Sequence, residues 1–300
     1  MQIGFVGLGK MGQNMCKRLL HHHEVIVFDV DKDALKIAEK EGAITASSIK
    51  ELASKLKTKR VIWSMVPSGK ITDETIVNIS QHLSKDDIII DGGNSFYKDS
   101  INHAANLKKK GIDFLDIGVS GGIWGYKEGY CLMVGGEEIA YKYIEPILKT
   151  LSSKDSYNYM GKSGSGHFVK MVHNGIEYGL MQAYAEGFEI LKEKKEFDLD
   201  LHKISKLWNR SSVVRSWLLE LLENVFEKDQ NFENIKAHVP DSGEGRWTVK
   251  ESIDLAVSTP VITTALYERF SSRKKDAFQD KVLAKLRDEF GGHGTKKIEE

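Results

Sequence analysis

The chain has 300 residues, room for one large or two ordinary domains with a substantial core. Its 43 basic and 43 acidic residues cancel, which removes the global electrostatic case for nucleic acid or an anionic membrane surface as a partner. Two cysteines, Cys16 and Cys131, argue against a disulfide scaffold and fit a reducing, cytoplasmic compartment, and no apolar run reaches membrane-spanning length.

The chain opens on an apolar stretch, Ile3 to Val6, that reads as a strand and not as a signal peptide. Gly7-Leu8-Gly9-Lys10-Met11-Gly12 follows, a G-x-G-x-x-G pattern between a strand at 2–7 and a helix from Met11 to Leu20. In such a pattern Gly7 allows a tight turn, Gly9 lets the backbone approach a pyrophosphate and Gly12 permits close packing of helix on strand. The helix N-terminus adds unpaired amides and a favourable dipole for phosphate. The next strand, 24–29, ends in Asp29, about twenty residues on, where dinucleotide-binding folds use an acid to hold a ribose hydroxyl pair. A carboxylate there repels a 2′-phosphate, so NAD is the expected cofactor. Lys32, the nearest cation, leaves NADP possible. His21-His22-His23 point in different directions on a helix end, and no metal-ligand spacing occurs along the chain, so no metal is expected.

Strands at 60–65, 87–91 and 112–117 then alternate with helical patterns at 33–40, 70–83 and 97–110, which predicts a parallel sheet covered on both faces. A strand at 130–134, a helix at 137–151 and a short strand around Tyr157 complete this half. Three loops at strand ends open toward one crevice: Ser64-Met65-Val66-Pro67, Asp91-Gly92-Gly93-Asn94-Ser95 and Gly118-Val119-Ser120-Gly121-Gly122. Met65, Val66 and Pro67 suit the nicotinamide side, Asn94 suits a bridge between cofactor and substrate, and Ser120 with Gly121 and Gly122 suits a carboxylate. Each loop alone is an ordinary turn composition; three on one sheet point to a site.

After Gly161–Gly166 the character changes to long helical patterns at 166–194, 199–208, 212–226, 249–257, 260–271 and 276–289. The expected fold is an α/β Rossmann-type, doubly wound N-terminal sheet, residues 1–163, followed by an all-α C-terminal domain, residues 164–300. The first of these helices carries GHFVKMVHNGIEY, where Lys170, His173, Asn174, Glu177 and Tyr178 fall at spacings of three, four, seven and eight. Those spacings align five polar side chains on one face, while Met171, Val172, Ile176 and Leu180 are expected to bury the others. A base and an acid set among hydrogen-bonding groups in an otherwise apolar helix are costly to desolvate unless a ligand uses them.

GLGKMG, DGGNS, GVSGG and GHFVKMVHNGIEY, followed by GEGRWT and RDEFGGH, resemble the 6-phosphogluconate dehydrogenases within the β-hydroxyacid dehydrogenases, over nearly the whole chain. The resemblance implies 6-phospho-D-gluconate as substrate, oxidised and decarboxylated to ribulose 5-phosphate in the pentose phosphate pathway. Lys170 resembles the general base, which must be neutral to act, and Glu177 the acid. His173, Asn174 and the 120–122 loop would orient carboxylate and hydroxyls. Tyr178, Arg246, Thr248 and Arg269 resemble phosphate ligands, supported by Arg287 and His293. The chain is shorter than the common form, Asp29 stands where NADP-dependent members carry an Asn-Arg pair, and Arg246 replaces a lysine, adding a bidentate fork. If Arg287 and His293 reach a neighbour's site, as in the long form, the enzyme is a homodimer or homotetramer. Two rivals stand beside this reading. A sister enzyme acting on a small non-phosphorylated 3-hydroxy acid would keep Lys170 and Asn174 without needing the arginines, and a non-catalytic NAD sensor would need neither Lys170 nor Glu177.

Overall fold

The computed structural model describes residues 1–291, 295 and 296. Two compact units divide it, Met1–Asn174 and Gly175–Glu300. The first is built on β1 (Gln2–Val6), α1 (Lys10–Leu19), β2 (Glu24–Phe28), α2 (Lys32–Lys40), β3 (Ile44–Thr45), α3 (Ile49–Lys55), β4 (Val61–Ser64), α4 (Lys70–Ser80), β5 (Ile88–Asp91), α5 (Tyr97–Lys108), β6 (Asp113–Ser120), α6 (Gly125–Glu128), β7 (Tyr130–Gly136), α7 (Glu138–Leu151) and β8 (Ser152–Gly161). The helix α8 (Ser165–Glu193) begins in this unit and continues in the second. There it is followed by α9 (Leu201–Ser211), α10 (Trp217–Lys228), α11 (Glu244–Asp254), α12 (Pro260–Ser271) and α13 (Phe278–Gly291).

The eight strands form one sheet in the order β3-β2-β1-β4-β5-β6-β7-β8, the reversal between β1 and β4 being the switch point of a doubly wound fold. The central strands are apolar on both sides, as a sheet covered on two faces demands. Ile3, Phe5, Val25, Val27, Trp63 and Ile90 face one buried cluster, and Ile26, Ile62, Ile89 and Phe114 face the other. The α/β expectation is met, with one correction. The sheet is not wholly parallel, because β7 runs antiparallel to β6 from Leu115↔Gly136 to Ser120↔Cys131. Only residues 121–129 join the two strands, too few for the helical crossover that parallel neighbours require.

Three elements escaped the sequence patterns, among them the four-residue α6, too short to show a helical period. The strand β3 has two residues, below the length at which alternation can register. The helix α3 carries a start signal that composition alone obscured: Ser48 Oγ accepts from the amide of Glu51 and caps the helix, an S-x-x-E arrangement. Two helices in the second unit begin elsewhere than expected. Ser216 caps α10 through the Leu219 amide, which moves its start from 212 to 217. The helix α11 starts at Glu244 and not at 249, with Gly243 at its cap taking φ of 112° and Glu244 and Gly245 in its first turn.

The helix α8 leans on the sheet through glycine. A Cβ at Gly118 would lie 2.4 Å from the Lys170 Cβ, one at Gly166 would lie 2.3 Å from the Asp116 carbonyl oxygen, and one at Gly135 would lie 2.6 Å from the Gly166 nitrogen. Its N-terminus is tied down by Asp116, fully buried on β6, whose carboxylate accepts from the amides of Gly164 at 2.6 Å and His167 at 2.9 Å. Burial pushes this carboxyl up from its ordinary range, against the His167 contact and the two amide bonds, which favour the ionised form. Asp116→Ala leaves two buried amides without partners. It is expected to lower the unfolding free energy by about 2–4 kcal/mol in urea titrations; an unchanged midpoint would show that Asp116 does not anchor the helix.

In the second unit the buried groups are few. Phe188, Leu201, Leu219 and Phe226 form one cluster, and Tyr178, Ala265 and Leu266 another. The burial expected for the apolar flanks of α8 holds for Met171, 2% exposed, and fails for Ile176 and Leu180, which are 53% and 45% exposed. With so small a core in this unit, both side chains are left on its surface. Among the described residues no helix is long and apolar enough to cross a membrane.

Candidate active site

At the C-terminal ends of β1 and β2 the glycine loop has the shape its sequence predicts. Gly7 takes φ of 96°, and a Cβ there would lie 2.5 Å from the Met65 carbonyl oxygen. A Cβ at Gly12 would lie 2.1 Å from the Gly7 carbonyl oxygen, whereas at Gly9, the cap of α1, it would meet nothing within 4 Å. The loop is thus packed tight inward and open outward, which fits a pyrophosphate against the α1 N-terminus. Asp29 follows β2 and is wired to the loop: its carboxylate accepts from the Leu8 amide at 2.5 Å and from the Asp31 amide at 2.7 Å. Met11 and Met65 are half-buried against one cluster and Val66 against the other, while Pro67 is exposed and its carbonyl accepts from Thr72 Oγ1 at 2.8 Å. Asn94 is exposed in the loop after β5, beside a buried Ser95 whose hydroxyl has no partner.

The second cluster lies where α8 crosses β6. Lys170 and Asn174 are each only 9% exposed. Lys170 Nζ donates to Asn174 Oδ1 at 2.7 Å and lies 3.4 Å from His173 Nδ1, which is itself 3.1 Å from Asn174 Oδ1. His173 Nε2 lies 3.3 Å from Ser120 Oγ. Gly121 and Gly122 continue the loop with φ of 132° and 54°, conformations that favour glycine. Cys131 pairs with Ser120 in the strand register; burial pushes its thiol up, and Lys170 acts the other way. Lys170, His173, Asn174 and Ser120 therefore form one connected polar group.

The second unit holds the other predicted ligands. Tyr178 is 6% exposed with an unpartnered hydroxyl, the Arg269 guanidinium lies 3.5 Å from its ring centre, and Gly245 packs against the ring edge. Arg246 donates to the Asp241 carboxylate, Nε to Oδ2 at 2.5 Å and Nη2 to Oδ1 at 3.3 Å. Thr248 is buried, and its hydroxyl donates to the Glu244 carbonyl at 2.8 Å. Glu177 is half-buried on α8, two turns beyond Lys170, and Arg287 is exposed on α13. His293 lies outside the described residues. Among the described residues no three His, Cys, Asp or Glu side chains gather as a metal site. Sequence reasoning missed Asp116, Asp241 and Arg273. A lone acid inside the apolar strand FLDIGV was a visible signal for Asp116; nothing in the sequence links Asp241 to an arginine 32 residues away.

Residues 2–161 match the model for the NAD-binding domain of 6-phosphogluconate dehydrogenase, and residues 166–300 match its C-terminal domain. The chain belongs to the 6-phosphogluconate dehydrogenase family. It is similar to the NAD(+)-dependent, decarboxylating 6-phosphogluconate dehydrogenase of Haloferax volcanii, at 43% identity over 98% of both chains. With the NADP(+)-dependent, decarboxylating 6-phosphogluconate dehydrogenase of Bacillus subtilis it shares 37% identity over 92% of this chain and 62% of the other. The solved Plasmodium falciparum 6-phosphogluconate dehydrogenase superposes with a TM-score of 0.83 at 30% identity, covering all of this chain and 67% of that one. Membership bears out the resemblance carried by the sequence motifs, and the coverage bears out the shorter length relative to these two dehydrogenases.

Proposed function

We propose that the chain oxidises and decarboxylates 6-phospho-D-gluconate to ribulose 5-phosphate and carbon dioxide, in the pentose phosphate pathway of the cytoplasm. NAD is the preferred oxidant and NADP a slower one. The observation that carries this reading is the hydrogen-bonded Lys170–Asn174–His173–Ser120 group, its Lys170 and Asn174 buried, beside the glycine loop at 121–122. The arginines beside Tyr178 in the second unit support a phosphorylated substrate. A small non-phosphorylated hydroxy acid would leave those arginines unused.

The glycine loop and Asp29 would hold the dinucleotide, which accepts hydride from substrate C3. Lys170 takes the C3 hydroxyl proton as that hydride leaves. The resulting ammonium returns the proton to the C3 oxygen while the bond to the carboxylate breaks, so the electrons released with carbon dioxide end in an enediol. Glu177, protonated, delivers a proton to the terminal carbon as Lys170 removes the enediol proton, giving the ketose. Transfer of one proton from Lys170 to Glu177 resets the pair. Asn94, Ser120, Gly121, Gly122, His173 and Asn174 orient the carboxylate and hydroxyls; Tyr178, Arg246, Thr248 and Arg269, with Arg287 and His293, take the phosphate. Asn174 fixes the position of the Lys170 amine, and a base held within hydrogen-bond reach is what such proton transfer requires.

Preference for NAD is supported by Asp29, whose carboxylate faces the loop without an arginine partner, and by the name of the Haloferax relative. Assembly as a homodimer or homotetramer is supported by the exposed apolar side chains of the second unit, among them Ile176, Val261, Leu283 and Leu286. Initial rates with 6-phosphogluconate, run in parallel with NAD and NADP, test the reading. The expected result is equal amounts of reduced cofactor, ribulose 5-phosphate and carbon dioxide, formed faster with NAD. Folded protein that turns over with neither cofactor would overturn it.

A further inference from the structure

We infer that Arg273 is an additional guanidinium of the phosphate subsite, and that Asp241 is the positioning residue that holds it beside Arg246. The inference rests on the reading of the site as one for a phosphorylated sugar acid.

Arg246, on α11, and Arg269 and Arg273, four residues apart at the end of α12, converge on two adjacent residues. Arg269 Nη1 donates to the Pro240 carbonyl at 3.1 Å. The neighbouring Asp241 carboxylate accepts from Arg246 through both of its oxygens and from Arg273 Nη1 at 2.7 Å. The ring of Phe270 backs the same group, with the Arg246 guanidinium 4.4 Å and the Arg273 guanidinium 5.2 Å from its centre. The Asp241 side chain is 3% exposed, and Arg246 and Arg273 hold its carboxyl below the usual range. It is therefore built into the protein and is not a surface counter-ion.

A single ion pair is neutral, whereas two guanidiniums on one carboxylate leave a net positive charge. Here one carboxylate serves two guanidiniums, a third lies one residue away, and like charges held together oppose folding unless something offsets them. Glu244, buried at the start of α11, accepts from Ser242 Oγ through its carboxylate, and three guanidiniums outnumber the two carboxylates. Each guanidinium has five donors. Arg273 commits Nη1 to Asp241, and Arg246 commits Nε and Nη2, leaving Arg246 Nη1 for a ligand; the two side chains remain 27% and 50% exposed. Donors left over at a rigidly held, partly open pair suit the several oxygens of a phosphate dianion. The buried, unpartnered Tyr178 hydroxyl, on the ring that Arg269 covers, adds a neutral donor. A purely structural Arg273 would serve only as a cation at the C-terminal end of α12, and that role involves no ligand.

Arg273→Ala, Arg273→Lys and Asp241→Asn are to be compared with the unaltered protein for KM and kcat with 6-phosphogluconate, for KM with NAD, and for competitive inhibition by inorganic phosphate. Arg273→Ala is expected to raise KM for the sugar acid and the phosphate inhibition constant together, by about tenfold, with kcat within about twofold and KM for NAD unmoved. The lysine variant, which keeps the charge without the fork, recovers part of the loss. Asp241→Asn raises the same two constants, and combined with Arg273→Ala it adds less than its effect alone, since both act on one pair. Unchanged KM and phosphate inhibition in Arg273→Ala and Arg273→Lys, in an active enzyme, would overturn the inference and leave the reaction standing. An inactive unaltered protein would instead overturn the reaction it rests on.

Discussion

Lys170→Met is expected to lower kcat for 6-phosphogluconate by about ten-thousandfold while leaving the protein folded and able to bind NAD. Methionine matches lysine in helix propensity and keeps a straight chain over Gly118, where the two backbones meet. The loss is therefore chemical. Lys170 is used at each proton transfer at the C3 oxygen, and a positioned acid–base group contributes about 10²- to 10⁴-fold. It also supplies the charge that receives the electrons of decarboxylation, a further electrostatic contribution of about 10²-fold or more. The two roles belong to one atom and do not multiply freely, which sets the expectation near the upper end of the first range. Stopped-flow rates for the variant, with thermal melting and NAD titration as controls, give the answer. A residual rate within tenfold of the unaltered enzyme would mean that another group takes the hydroxyl proton.

Glu177→Gln carries the second largest expected effect, and its signature differs. Glutamine preserves the size of the side chain and removes only the transferable proton. Hydride transfer and loss of carbon dioxide precede the step assigned to Glu177, so they should survive the change. The expected record is a first-turnover burst of reduced cofactor near one equivalent per site, followed by a steady rate lower by about 10²- to 10³-fold. Carbon dioxide should appear in the burst and ribulose 5-phosphate should lag behind it. If reduced cofactor and ribulose 5-phosphate instead fall together without a burst, Glu177 acts earlier than the final protonation. An unaltered kcat would remove it from the chemistry.

How far the sequence could be read depended on the range of each interaction. The glycine loop, the strand before it and Asp29 lie within one βαβ segment, and local pattern placed them correctly. The polar face of α8 was likewise legible, since helical spacing alone groups Lys170, His173 and Asn174, and their hydrogen bonds confirm that grouping. The link from His173 to Ser120 spans 53 residues; sequence reasoning reached it only because both residues lie in motifs of one family. Arg273 had no such help. It lies just past the end of α12, outside every motif, and only the fold brings it to the carboxylate it shares with Arg246. The direction of β7 failed for a different reason. Alternation of strand and helix implies parallel neighbours, and the short glycine-rich link at 121–129, whose helical turns are too brief for a crossover, breaks that alternation.

The seating of α8 on glycine bears on how such a chain can change over time. At Gly118, Gly135 and Gly166 the helix meets main-chain atoms or, at Gly118, the first carbon of Lys170 itself. Its height above the sheet is set by close main-chain approach and by the buried Asp116 carboxylate. Cores seated on side chains drift as those side chains are exchanged, and each exchange shifts what rests on them. Here the base is insulated from that drift. Loops around it can be lengthened, recoloured in charge or traded for new specificities while the amine of Lys170 keeps its address, so novelty in this scaffold is cheapest at the rim and nearly forbidden at three glycines.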